Sequence, residues 1–182
     1  MKGKNKLGIV TFIISEANFF LMLILTYVYF HSKSSATADK YLEPAKIGIN
    51  TFVLLSSSLT VWLAERNLKR GRYKGFCAWL LVTILLGAIF LFGQGIEWSS
   101  LIKKNVTISS GLFGTTFFTL TGFHGFHVFV GLIMLSILFG LGLAGDFKNR
   151  KSSAVETVSL YWHFVDVVWI VIFSIVYLGV YI

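Results

Sequence analysis

Long apolar runs separated by short basic or polar stretches fill most of the 182-residue chain. Runs at about 7–30, 47–64, 76–97, 112–143 and 158–182 each read as a helix able to cross a bilayer, which takes about 20 residues at roughly 1.5 Å per residue. The second run is near the short limit. The fourth exceeds what the hydrocarbon needs, which predicts tilt or extension beyond it. All five are too long for strands and lack the alternating polarity of a membrane barrel. The pattern therefore predicts an all-α polytopic membrane protein: a single membrane domain over 1–182, built as a bundle of five transmembrane helices. Pro44, the only proline, stands before the second run, where its missing N–H suits a helix start. Residues 32–38 read as a short solvent loop. No inverted repeat is visible.

Composition agrees. Hydrophobic residues make up 55% of the chain and charged residues 13%, against about a quarter charged in a soluble domain. Mean hydropathy is +0.77. The net charge of +8 does not point to nucleic acid, because the basic residues sit in clusters that flank the apolar runs. Eleven of the sixteen, among them Lys2, Lys4, Lys6, Arg66, Lys69, Arg70, Arg72, Lys74, Lys148, Arg150 and Lys151, fall on one side. That bias predicts the N-terminus in the cytoplasm and the C-terminus outside, and basic loops beside an anionic leaflet suit lipid head groups. The single Cys77 allows no internal disulfide and reads as a packing residue. No cleavable signal peptide is expected, because the first apolar run is too long and leads into Tyr27-Val28-Tyr29.

Ionisable residues inside apolar runs are the candidate functional groups, since charge in the bilayer core is costly. Glu16 lies mid-run and reads either as a proton-exchangeable carboxyl or as a neutral acid satisfied by another helix. Glu97, in Gln94-Gly95-Ile96-Glu97-Trp98, reads most simply as the wet end of the third helix, with Trp98 in the interfacial belt. His124 and His127, three apart, share a helix face. That spacing fits metal ligands or bonds to neighbouring helices, and the adjacent Gly122 and Gly125 favour a packed interface. His163 and Asp166 are also three apart, so pairing within the helix would lower the cost of burial. Trp162, Asp166 and Trp169 fall on one stripe. Glu97, His124, His127, His163 and Asp166 together suggest a buried polar seam, to which Glu16 adds a carboxyl near the level of Asp166. His31 reads as interfacial.

The stretch Thr121-Gly122-Phe123-His124-Gly125-Phe126-His127-Val128 resembles the fourth-span signature of subunit III of haem–copper oxidases. Tyr161-Trp162-His163-Phe164-Val165-Asp166-Val167-Val168-Trp169 resembles that subunit's last helix. Asn50-Thr51 with Leu54-Leu55-Ser56-Ser57-Ser58, and Ser15-Glu16 with Phe19-Phe20, resemble two further segments, the latter the helix with its carbodiimide-reactive glutamate. The likeness covers nearly the whole chain and is to the five-helix bacterial form. It implies a non-redox subunit of a cytochrome c or quinol oxidase in the bacterial plasma membrane, with no catalytic, haem or metal site of its own. Haem and copper would lie in partner subunits. The chain would pack against catalytic subunit I, bind phospholipid and sustain proton uptake, with Glu16 as proton-exchange residue.

Five-helix relatives of subunit III also serve as accessory proteins of nitric oxide reductases, which gives an alternative. A small proton-coupled transporter using Glu16, Asp166 and the histidines is a third reading. It would need broken helices, and no run is interrupted by proline.

Overall fold

The computed structural model describes residues 3–31, 42–147 and 153–179. Among them it shows five long helices and no strand: α1 (Gly3–His31), α2 (Pro44–Lys69), α3 (Tyr73–Lys103), α4 (Leu112–Ala144) and α5 (Ser153–Phe173), the last continuing as a π-helical turn over Ser174–Leu178. All five are long and apolar enough to cross a membrane. The expected loop at 32–38 and the end of the fifth run, 180–182, lie outside the described residues, as do Lys2, Lys148, Arg150 and Lys151.

The helices overrun several of the apolar stretches. Pro44 occupies the first turn of α2, and α2 runs on through Glu65 and Lys69, an ion pair one helical turn apart. α3 begins at Tyr73 and reaches Lys103. Backbone hydrogen bonding continues wherever side chains can reach polar surroundings, so an apolar run marks the hydrocarbon crossing and not the helix ends.

The short link Arg70-Gly71-Arg72 makes α2 and α3 an antiparallel hairpin. α4 packs on α3 and α1, while α5 lies against α1, α2 and α4. α5 is the most enclosed span and α1 the least. Lipid chains are as apolar as leucine, so burial of apolar side chains does not drive this packing, and small residues and hydrogen bonds must direct it. Both are present on α5. A carbon added at Gly87 of α3 would stand 2.7 Å from the Trp162 ring, and one at Gly131 of α4 would stand 2.8 Å from it. The Trp162 indole thus fills a slot between two helices that only glycine walls permit. Its N–H donates to Ser57 of α2 at 2.9 Å. Seven residues further along the same stripe, the Trp169 N–H donates to Thr51 at 3.0 Å. Asn50 donates to the Phe90 carbonyl at 3.0 Å, over Gly93. The polar side of α2 is therefore spent on positioning α5 and α3.

Candidate functional site

Glu16 of α1 meets α4 across the bundle. Its Oε2 lies 3.0 Å from His127 Nε2, with side-chain exposures of 23% and 12%. On the other side of the imidazole, Nδ1 is 2.7 Å from the Phe123 carbonyl. A carbonyl oxygen can only accept, so Nδ1 carries a hydrogen. Two states then fit the Glu16 contact. Either a protonated Glu16 donates to a neutral Nε2, or a carboxylate accepts from an imidazolium. In both, the pair holds a single exchangeable proton between oxygen and nitrogen.

The surroundings fix this geometry. The Tyr161 hydroxyl of α5 donates to the His127 backbone carbonyl at 3.1 Å. Phe20 packs edge-on to the imidazole at 4.9 Å, and Phe19 packs on Phe123 at 5.1 Å. The pair stands at the head of a cleft of about 310 Å³ between α1, α4 and α5, lined by Ile9, Phe12, Phe126, Val130, Met134, Thr157, Val158 and Tyr161. Those residues belong to the first half of α1, the second half of α4 and the start of α5, so the cleft runs from mid-bundle towards the end that carries the α2–α3 turn.

The other polar residues are placed separately. Glu16 does not meet Asp166, because α4 supplies its partner. His124 points inward, 1% exposed, with its ring stacked on Trp169 at 4.8 Å and edge-on to Phe90 at 6.0 Å. The two histidines of α4 therefore face different surroundings. No three His, Cys, Asp or Glu side chains come together to hold a metal ion among the described residues. The expected His163–Asp166 pairing is not formed. His163 Nδ1 lies 2.7 Å from the Ser58 hydroxyl of α2, while neither Asp166 oxygen has a hydrogen-bond partner. Glu97 is half-buried in the last third of α3 and takes side-chain partners there. The Tyr177 hydroxyl donates to its carboxylate at 2.8 Å and 2.9 Å, and Gln94 Nε2 donates at 2.7 Å. His31 stacks on Tyr27 with ring centres 5.4 Å apart. Cys77 packs with Phe76 against Gly142, where an added carbon would be 3.0 Å from its sulfur.

Tyr161 and Tyr177 were not singled out by the sequence pattern. Tyr161 stands inside a motif that drew attention to its neighbours. Tyr177 faces Glu97 from the π-helical turn, and such a turn shifts later residues off the face that a 3.6-residue period assigns.

Fold and site together define a multi-pass helical membrane protein with a carboxyl–imidazole pair at mid-span. The sequence profile of cytochrome c oxidase subunit III matches residues 1–181, and the chain belongs to that family. It is 40% identical to cytochrome c oxidase subunit 3 of Podospora anserina over 97% of this chain and 67% of the relative. It is 37% identical to the protein of that name from Synechocystis sp., covering 94% of this chain and 74% of the relative. With the probable cytochrome c oxidase subunit 3 of Nocardia farcinica it shares 35% identity over 93% of this chain and 85% of the relative. The chain thus spans about two thirds of the fungal relative's length and more of the bacterial ones.

Proposed function

We propose that this chain is the non-redox subunit III of a respiratory haem–copper terminal oxidase in a bacterial plasma membrane. It stabilises catalytic subunit I, binds phospholipid and supports proton uptake during oxygen reduction. The basic α2–α3 turn faces the cytoplasm by the positive-inside bias, so the cleft below Glu16 lies on the side from which protons are drawn. The observation that carries the proton role is the 3.0 Å Glu16–His127 contact at the head of that cleft. A proton arriving along the cleft converts the carboxylate–imidazole pair to its singly protonated form, and departure towards a neighbouring subunit resets it. The exposed apolar face of α1, with Leu7, Ile14, Met22 and Tyr29, suits lipid chains or a partner helix. Haem and copper belong to the partner subunits.

The test is to purify the complex through this chain in mild detergent. A reduced haem spectrum with copper and a large catalytic subunit is expected, and Glu16→Gln in that complex shortens its turnover lifetime. A colourless lone protein overturns the assignment. A haem partner with non-haem iron and no copper replaces it by a nitric oxide reductase.

A further inference from the structure

A second groove follows the joint of α3 and α4 and shares no residue with the cleft below Glu16, apart from the helix α4 itself. It encloses about 930 Å³, with Ala88 at one end and Ser99, Ser100 and Lys103 at the other. Its apolar walls are open to the surroundings: Phe92 is 73% exposed, Ile96 57% and Phe129 51%. Gly95 also lines it, and a carbon added there would meet nothing within 4 Å. The missing side chain therefore leaves open space between the walls.

Length and charge point to the occupant. Ala88 is the middle residue of α3. Ser99 stands 11 residues further on, which is about 17 Å at the helical rise. One leaflet of the hydrocarbon core is about 15 Å deep. The apolar lining thus runs from mid-membrane to the surface of a single leaflet, the depth of one acyl chain. A transmembrane helix of a partner would cross both leaflets and need a contact face in each. Lys103 lies one turn beyond Ser99, and its alkyl stem can follow the apolar wall while the ammonium reaches the head groups. It is the charged side chain that lines the groove. The adjacent Lys104 is 3.7 Å from Glu43, whereas Lys103 makes no ion pair among the described residues. A cation without a counter-charge at the head of an apolar groove matches a phosphate that carries hydrocarbon.

We propose that this groove binds one anionic phospholipid from the leaflet on the side of the α3–α4 loop. Its phosphate pairs with Lys103, and an acyl chain lies over Gly95 between Phe92 and Phe129. This gives a place to the phospholipid binding of the proposed function and rests on that reading only for the class of ligand.

Native mass spectrometry of the full chain, delipidated in detergent and titrated with phosphatidylglycerol or phosphatidylcholine, tests this. One phosphatidylglycerol per chain is expected to bind in preference to phosphatidylcholine. Lys103→Gln, which alters only an exposed side chain, weakens phosphatidylglycerol about fivefold, as loss of one lysine near a head group should, and leaves phosphatidylcholine unchanged. Gly95→Leu fills the groove and abolishes the adduct at an unchanged thermal midpoint. Gly140→Leu, also open around its added carbon but on α4 outside the groove, retains it. A photoreactive group in place of the Phe92 ring captures lipid in cell membranes. Equal phosphatidylglycerol binding by wild type and Gly95→Leu, an unchanged head-group preference in Lys103→Gln, or capture of another protein's helix at position 92 overturns the proposal. None of these readouts involves haem or a catalytic subunit, so this site and the oxidase assignment fail separately.

Discussion

The Trp162 ring occupies the space that a side chain on Gly87 would need, 2.7 Å from where its first carbon would stand. Gly131 of α4 closes the slot as well, its added carbon 2.8 Å from the same ring. The indole can be tilted out only by breaking its bond to Ser57. Gly87→Ala and Gly131→Ala each force this ring or its helix to move. Overpacking of this kind costs about 1–3 kcal/mol. Thermal denaturation of the purified protein in detergent should show both variants clearly destabilised. Gly95→Ala, where nothing lies within 4 Å of the added carbon, should leave the midpoint unchanged.

Thr51 accepts the Trp169 N–H at 3.0 Å in a fully buried setting. Thr51→Val keeps the shape and leaves that donor unsatisfied, a loss of about 1–3 kcal/mol. Thr51→Ser retains the oxygen and should cost less. If the two variants have equal denaturation midpoints, the hydrogen bond contributes nothing there.

Tyr177 bridges both oxygens of Glu97. Tyr177→Phe removes that donor from a half-buried carboxylate, and a destabilisation of about 1–3 kcal/mol is expected. In Glu97→Gln the same Tyr177→Phe change should cost less, because the neutral amide needs less compensation. A double-mutant cycle measured by thermal denaturation reads the difference, and additive effects would mean that the two side chains do not interact.

Glu43, just before α2, is held below the usual carboxylate range by its hydrogen bond to Lys46, with charge from Lys46 and Lys104 adding to it. A folded-state value below the unfolded one stabilises above the unfolded value, and the benefit is lost as pH falls through the folded one. Glu43 is exposed, so the effect is small and screened by salt. Glu43→Gln should therefore match wild type in thermal midpoint at neutral pH in high salt. Any deficit should appear at low salt and fade on acidification.

Much of this architecture was legible in the apolar pattern, because a membrane span must satisfy its own backbone and announces itself by length. Each of the five runs lies largely within one of the five helices. The helix ends were less legible. Glu65 and Lys69 are polar yet helical, since they pair with each other beyond the hydrocarbon. Candidate residues were visible singly, as charges in the wrong solvent, but not their partners. Nothing in the spacing of α1 tells which helix it meets, so Glu16 is matched to His127 of α4 only in three dimensions. His163 and Asp166 share a helix face, yet an adjacent helix offers His163 the Ser58 hydroxyl. The glycines that matter most for α5, Gly87 and Gly131, lie on α3 and α4, and only the Trp162 ring between them reveals their purpose.

The most direct test of the account is proton uptake by the assembled oxidase carrying Glu16→Gln, followed with a pH-indicating dye as the reduced enzyme meets oxygen. The Gln amide can donate to His127 Nε2, so the contact survives while the exchangeable proton is lost. Slower uptake than wild type at unchanged haem content and subunit composition is the predicted result. Uptake at the wild-type rate, with the wild-type turnover lifetime, would contradict the role of the Glu16–His127 pair.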